Sequence, residues 1–308
     1  MDVLDDILST LNLKGALYFR TDFSGHWGTT VPELPGAARF HLVVQGSCHV
    51  TFRSGASVVL QPGDLVLIPR GREHILADKP GREAPPLETV LQQAGYDGSG
   101  VLAVGDGDAK ASTQMVCGHF TFRNGADHVL LKALPDFLVT SASDRVKAPF
   151  LDETLRLIVR RIFAPSPGSQ AAVKRLSESV YVELIRIGAE RNSALAAILT
   201  ALQDPQIGQA LSRMHEMPHH PWTVETLAGE VAMSRSRFAD RFRDLLGMSP
   251  MAYLSDWRLQ RALSLLDESR FSVQQIASQS GYQSPAAFTR AFAAKFGTSP
   301  TEYRRVAG

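Results

Sequence analysis

The strongest constraint on this chain is an internal repeat near its C-terminus. Phe238 matches Phe288, Phe242 matches Phe292, Gly247 matches Gly297, Ser249-Pro250 matches Ser299-Pro300, and Tyr253 matches Tyr303, each pair 50 residues apart. Upstream, Val224 pairs with Val273 and Ala228 with Ala277 at an offset of 49, so the turn before Ser284 is one residue longer than the turn before Ser234. Each unit has the parts of a helix-turn-helix. In the first, Thr223 can N-cap VETLAGEV, small Ala228 lets the next helix approach, and Ala232-Met233 turns. Ser234 then caps a second helix that Gly247 ends. In the second unit Ser272 caps VQQIASQS and Gly281-Tyr282 turns. Ser284 caps a helix with Pro285 in its favoured first position, running to Gly297.

Helical spacing assigns the faces. Phe238, Phe242, Leu245 and Leu246 share one side of the first reading helix, and Phe288, Phe292 and Phe296 one side of the second. These are expected core. The candidate DNA-binding residues are Arg235, Ser236, Arg237, Ala239, Asp240 and Arg243 in the first unit. In the second they are Gln283, Ser284, Ala286, Ala287, Thr289 and Arg290. A recognition helix reads base edges with its N-terminal residues while nearby Arg and backbone N–H groups hold phosphates. Arg suits guanine and small Ala or Thr suits thymine methyls, while Asp240 suits cytosine N4 or an ion pair with Arg237. The alternative is a duplicated helical packing or protein-binding module.

Charge does not make this case. Residues 205–308 carry 12 Lys/Arg and 9 Asp/Glu, while the whole chain is only +1. That permits nucleic acid without arguing for it. At 308 residues two domains are expected, from a prior of about 150 per domain. No run approaches the roughly 18 apolar residues of a membrane span, and the acidic start MDVLDDILST lacks the basic region of a secretory signal. Two cysteines, Cys48 and Cys117, are too few for a disulfide framework and point to a reducing cytoplasm.

Residues 1–13 read as a short helix. From about 15 to 140 the period becomes two. RFHLVVQ, SCHVTFR, ASVVL, DLVLIP and MVCGHFTF read as short strands of an antiparallel barrel or sandwich. The stretch 78–110 reads as a long loop with at most one more strand. Helical patterns return at 150–162, 171–190 and 193–202, broken by Pro165 and Pro167. Their stripes Leu151/Leu155/Ile158/Ile162 and Leu176/Val180/Leu184/Ile187 would either form a dimer contact or pack on the barrel.

On the repeat, its caps and its Gly-x-Ser-Pro-x2-Tyr ends, residues 205–305 resemble the DNA-binding domain of the AraC/XylS family. The likeness is strongest over RALSLLDESRFSVQQIASQSGYQSPAAFTRAFAAKFGTSPTEYR. It implies that Trp257 to about Glu268 is the helix joining the two units. In the N-terminal half, LQPGDLVLIPRGREH, ending at His74, resembles a cupin barrel motif. With His41-Leu-Val-Val-Gln45-Gly46 and the later Cys117-Gly118, it is most similar to the subgroup that includes reactive-chlorine-sensing regulators. That subgroup has a cysteine near position 21, where this chain has Thr21.

Cupin interiors often hold a metal on histidines. The candidate ligands here are His41, His74 and Cys117, with His119 or His26 as a possible fourth, and imidazole with thiolate suits zinc. The alternative is a set of hydrogen-bonded barrel histidines and a buried apolar cysteine; Cys48 is expected core. A cupin oxygenase fused to a DNA-binding domain is the rival function, disfavoured because the closely spaced His-x-His and Glu ligand set is missing.

The expectation is therefore an α+β, non-enzymatic transcription regulator. It comprises an antiparallel β cupin sensor (1–145), a helical linker and dimerisation region (146–203) and an all-α domain with two helix-turn-helix units (204–308). Its expected partners are double-stranded promoter DNA, RNA polymerase, a small-molecule effector and a second copy of itself, with no membrane contact.

Overall fold

The computed structural model describes residues 2–98, 100–105, 112–164 and 166–307. They form two compact units, and the chain passes between them four times. One holds Lys14–Thr121 and Leu134–Asn192; the other holds the N-terminal stretch to Leu13, Phe122–Ala133 and everything from Ser193 onward. These units depart from the boundaries expected at 145 and 203. The N-terminal helix α1 (Val3–Leu11) buries Val3, Ile7 and Leu11 against α8 (Ile207–Glu216) and α11 (Pro250–Glu268). Helix α7 (Ser193–Gln203) likewise packs on α8 and on α10 (Arg235–Leu246). Apolar faces follow their partners, and periodicity alone does not name the partner.

The sensor unit is built on two sheets. The first runs in the order β10-β6-β3-β9-β1-β8, from β1 (Lys14–Phe23), β3 (Ala37–Gln45), β6 (Leu65–Ile68), β8 (Val101–Val104), β9 (Thr113–Thr121) and β10 (Leu138–Thr140). The second runs β2-β7-β4-β5, from β2 (Gly28–Val31), β4 (Cys48–Phe52), β5 (Ser57–Leu60) and β7 (His74–Ala77). The pairs are antiparallel except β1 with β8, which is parallel. Most of the barrel lies between those two strands in sequence, supplying the long crossover a parallel pair needs. The segment expected to be a loop also holds a short helix, α2 (Leu87–Gln93).

Strand β3 is buried from Ala37 to Val43 on both faces, because one side points into the barrel and the other lies under helices. The Phe40 ring packs at a tilt against Phe120, centroids 5.2 Å apart, and Phe120 against Tyr181 of α6 (Ser169–Ala189) at 5.0 Å. Gly118 is required there: a Cβ would sit 2.5 Å from the Phe40 ring and 2.6 Å from the Ala16 carbonyl oxygen. The Pro62-Gly63-Asp64 turn is fixed by Asp64, whose carboxylate accepts from Gln61 N at 2.9 Å. It also accepts from Ala142 N, at the start of α4 (Ala142–Val146), at 2.8 Å.

Helix α6 packs on β1 and β10 and buries Val180 and Leu184 within the unit. Helix α5 (Pro149–Phe163) buries Leu151, Leu155 and Ile158. Most of the two expected stripes thus packs inside the chain. What remains open on α4 and α5 is Val146 (80% exposed), Phe150 (58%), Leu157 (44%) and Phe163 (41%).

In the reader unit α9 (Val224–Glu230) and α10 form the first helix-turn-helix, and α12 (Val273–Gln279) and α13 (Pro285–Phe296) the second. The long α11 joins them, and α14 (Pro300–Ala307) closes the chain. Helix α8 was not distinguished from its surroundings in the sequence; its N-terminus is held by Asp204, which accepts from Gln206 N and Ile207 N.

Candidate functional site

The duplication in sequence is a duplication in geometry. Ser234 accepts from Arg237 N at 3.4 Å and Ser284 from Ala287 N at 3.2 Å, each satisfying an N-terminal N–H that has no partner within its helix. Gly247 and Gly297 end their helices at φ 69° and 72°, where a Cβ would be strained. In the first unit the ring centroids of Phe238–Phe242 and Phe242–Tyr253 are 5.8 and 5.7 Å apart. In the second, Phe288–Phe292 and Phe292–Tyr303 are 5.7 and 5.9 Å apart. These aromatics anchor each reading helix from below.

The opposite faces are open. Arg235, Ser236, Arg237, Asp240 and Arg243 are exposed on α10, with Ala239 half-buried. At the second unit Gln283, Ser284, Ala286 and Arg290 are exposed, with Ala287 and Thr289 half-buried. Asp240 pairs with Arg243 at 3.6 Å; both Arg237 and Arg243 stand three residues from it on the helix, and among the described residues the pair is recorded with Arg243. Arg235 pairs with Glu225 at 2.9 Å.

Inside the barrel, the antiparallel register of β3 and β9 sets His41 directly opposite Cys117. His41 Nδ1 lies 3.0 Å from Cys117 Sγ, His41 Nε2 lies 2.8 Å from His74 Nε2, and His74 Nδ1 lies 2.8 Å from the Arg72 carbonyl oxygen. That carbonyl can only accept, which fixes every proton in the chain. His74 Nδ1–H donates to it, His41 Nε2–H donates to His74 Nε2, and the Cys117 thiol donates to His41 Nδ1. Burial holds all three groups neutral: it drives the His41 pKa well below its ordinary value, lowers His74 to about 4, and raises the Cys117 thiol. Burial is the largest cause in each case, as expected for a charge moved out of water. A cavity of about 20 Å³ borders Arg39, His41 and Cys117, room for roughly one water.

A family model described as Cupin matches residues 2–190, and one described as Helix-turn-helix domain matches residues 227–306. The HTH-type transcriptional regulator AlkR of Acinetobacter baylyi is 31% identical over 310 residues, covering 99% of each chain. The RCS-specific HTH-type transcriptional activator RclR of Escherichia coli is 28% identical over 310 residues, covering 99% of this chain and 97% of its own. Among solved structures, the DNA-binding domain of AdpA bound to a target DNA is 37% identical, with a TM-score of 0.32. The match covers 33% of this chain and 92% of that one. The chain belongs to the AraC-like family of transcription regulators.

In this AraC-like regulator the cupin is the N-terminal part and the helix-turn-helix pair the DNA-binding part. The relatives named here are regulators, and nothing in these comparisons supports the oxygenase alternative. Of the expected metal ligands, His41, His74 and Cys117 come together. His26 is 79% exposed in its side chain and lies against Asp78 and Arg82. His119 lies opposite Arg39 on β9. The donors of the trio do not converge on one point, because His41 directs its two nitrogens at two different neighbours. Among the described residues no group of three or more His, Cys, Asp or Glu is arranged to hold a metal ion.

Arg39 was missed in the sequence. It is buried, borders the same cavity, and its positive charge lowers the pKa of both His41 and His74. The signal was available: in ARFHLVV, alternation puts position 39 on the face of His41.

Proposed function

We propose that this regulator binds promoter DNA as a homodimer through the exposed faces of α10 and α13, and that its effector acts on the Cys117–His41–His74 chain. The observation that carries the second part is the fixed direction of every proton in that chain. When the Cys117 sulfur attacks a small oxidant X–OH, the S–X bond forms as the X–O bond breaks; His41 Nδ1 takes the thiol proton and hands it to the departing hydroxide, which leaves as water. The sulfur thereby gains a bond and both imidazoles end neutral. The cavity of about 20 Å³ favours a reagent of a few atoms over a bulky ligand. The chlorine specificity in the name of the E. coli relative makes a small chlorine oxidant the first to try.

The test is the response of promoter DNA binding to hypochlorous acid, with mass spectrometry of Cys117. A response that survives Cys117→Ser sinks this reading. Zinc held by His41, His74 and Cys117 is the rival: stoichiometric zinc in untagged protein, lost in Cys117→Ser and His74→Ala, would replace the relay by a metal site.

The dimer contact we assign is the open ridge Val146, Phe150 and Leu157. On α5, Glu153 and Arg161 lie four residues either side of Leu157. Two antiparallel copies crossing at Leu157 therefore set Glu153 against Arg161, a self-complementary arrangement as a two-fold contact requires. Leu157→Glu with Phe150→Glu yields a soluble monomer by sedimentation; an unaltered dimer mass overturns the assignment. DNA-bound in the cytoplasm, the regulator would act on RNA polymerase.

A further inference from the structure

The reader unit contains a piece of chain that does not belong to its helical repeat. Strand β9 carries Cys117, ends at Thr121, and the chain continues as Phe122–Ala133 within the reader unit. This segment contacts α11 toward both of its ends. At the C-terminal end Arg123, with only 2% of its side chain exposed, grips Asp267 and Glu268, the latter at 2.5 Å. It also donates to the Thr10 carbonyl oxygen at 3.1 Å. Near the other end the Nε2 of His128 faces the Tyr253 hydroxyl at 3.3 Å, which lies 2.8 Å from His215 Nε2; His215 Nδ1 meets Asp6 at 3.0 Å.

Here too the protons are fixed. His128 Nδ1 accepts from Leu130 N, so its Nε2–H donates to Tyr253. The hydroxyl donates to His215 Nε2, which leaves the neutral ring's proton on Nδ1, within ion-pair distance of the Asp6 carboxylate.

The same segment reaches the second reader. The Tyr303 hydroxyl donates to the Asn124 carbonyl oxygen at 3.0 Å, and Lys295 near the end of α13 pairs with Asp127 at 3.5 Å. Gly125, at φ 80°, lies so close to Phe296 and Leu263 that a Cβ would meet them at 3.3 and 3.4 Å.

We propose that residues 122–133 are a splint along α11 that fixes the angle between the two reading helices, with Arg123 as its main fastening. Helix α11 shares a core with the second helix-turn-helix through Leu263, Leu266, Ile276, Phe288 and Phe292, and Lys295 also pairs with Asp256 of α11; the short link from Glu268 to Val273 is where polar ties add to that apolar packing. The splint closes that link by holding Asp267 and Glu268 on one side of it and Lys295, Phe296 and Tyr303 on the other. A buried guanidinium between two carboxylates is strongly directional, and removing it leaves both carboxylates without their partner. The splint is also the direct continuation of β9 in the chain.

This inference rests on DNA reading by both α10 and α13, and the experiment separates the two ideas. The full chain selects its duplex from a random library, and its affinity is compared with that for the same duplex carrying one base pair inserted between the two protected halves. One base pair turns the far half by about 35°. In a rigid reader this costs the wild type about tenfold, the scale of one lost set of base contacts.

Arg123→Gln is expected to cut that penalty to less than about threefold, because a loosened reader follows the turned half. Should Arg123→Gln fail to melt cooperatively, Tyr303→Phe combined with Asp127→Asn decides, since both side chains keep their shape. A wild type that selects no duplex sinks the DNA-reading proposal itself. A wild type indifferent to the insertion, or a folded variant that keeps the full penalty, overturns the splint.

Discussion

The two helix-turn-helix units share one skeleton and differ in chemistry. Their aromatic triads superpose in spacing to within a few tenths of an ångström, yet the first presents several charges and the second almost none. On α10, Arg235 and Arg243 are engaged by Glu225 and Asp240. On α13 the open face is Ala286, Ala287 and Thr289 with Arg290, for which no ion pair is seen among the described residues. The turns differ too. Ala232 and Gly281 occupy the same place in the repeat, both left-handed, at φ 53° and 75°. Gly281 has no room for a side chain, since a Cβ would lie 2.8 Å from the Pro218 carbonyl oxygen; Ala232 is exposed and accepts the strain. Duplication has thus preserved what anchors a helix and released what the helix shows to its ligand.

The sharpest way to break this comparison is at the anchors. Phe242→Ala and Phe292→Ala should each cost roughly 3–5 kcal/mol of stability, as loss of a buried Phe does. Urea melts that showed one unit indifferent would mean the anchors are not equivalent. Next comes the second turn. Gly281→Ala should cost roughly 1–3 kcal/mol from the backbone alone, with crowding against Pro218 added. A melt unchanged from wild type would remove the argument from close approach.

The chemical contrast is tested on DNA. Arg290→Ala should lose roughly 1–3 kcal/mol of affinity and relax the preference for one guanine, if the side chain is bidentate there. Footprints and salt dependence that stay as they were would show that α13 reads nothing through Arg290. The smallest effect is expected at the first turn. Ala232→Gly should stabilise by about 0.5–1 kcal/mol, relief of the left-handed strain outweighing the entropy that glycine adds to the unfolded chain. A destabilisation in the same melts would show that the strain is not there.

The readers were legible because their information is local and stated twice. Caps, turn residues and a Phe every four positions lie within a dozen residues of one another, and the repeat separates them from chance. The strand positions of the barrel were legible through alternation, and so was the pairing of His41 with Cys117 in one interior. What alternation could not give was direction. Whether two imidazoles and a thiol converge on a point or line up in a chain depends on ring orientation, set by contacts such as the Arg72 carbonyl. Nor could it give the partner of an apolar stripe: Leu184 and Leu151 read as fitting either a second subunit or the barrel, and their own chain covers them. The grouping of α1 and Phe122–Ala133 with the readers was hidden for the same reason, since Asp6, Arg123 and His128 meet partners more than a hundred positions away.

That last feature bears on how the molecule is made. Helix α1 is synthesised before the barrel, and α8 and α11, whose surfaces cover its apolar face, only after it. The barrel strands that follow it find their partners early and can close as a unit while translation continues. The reader cannot be completed until nearly the whole chain is available, because its N-terminal helix and its splint both wait for α11. An interrupted or truncated product therefore has a route to a folded sensor and none to a finished DNA-binding body. A chain that stops before α11 leaves both α1 and the splint without the surface that covers them.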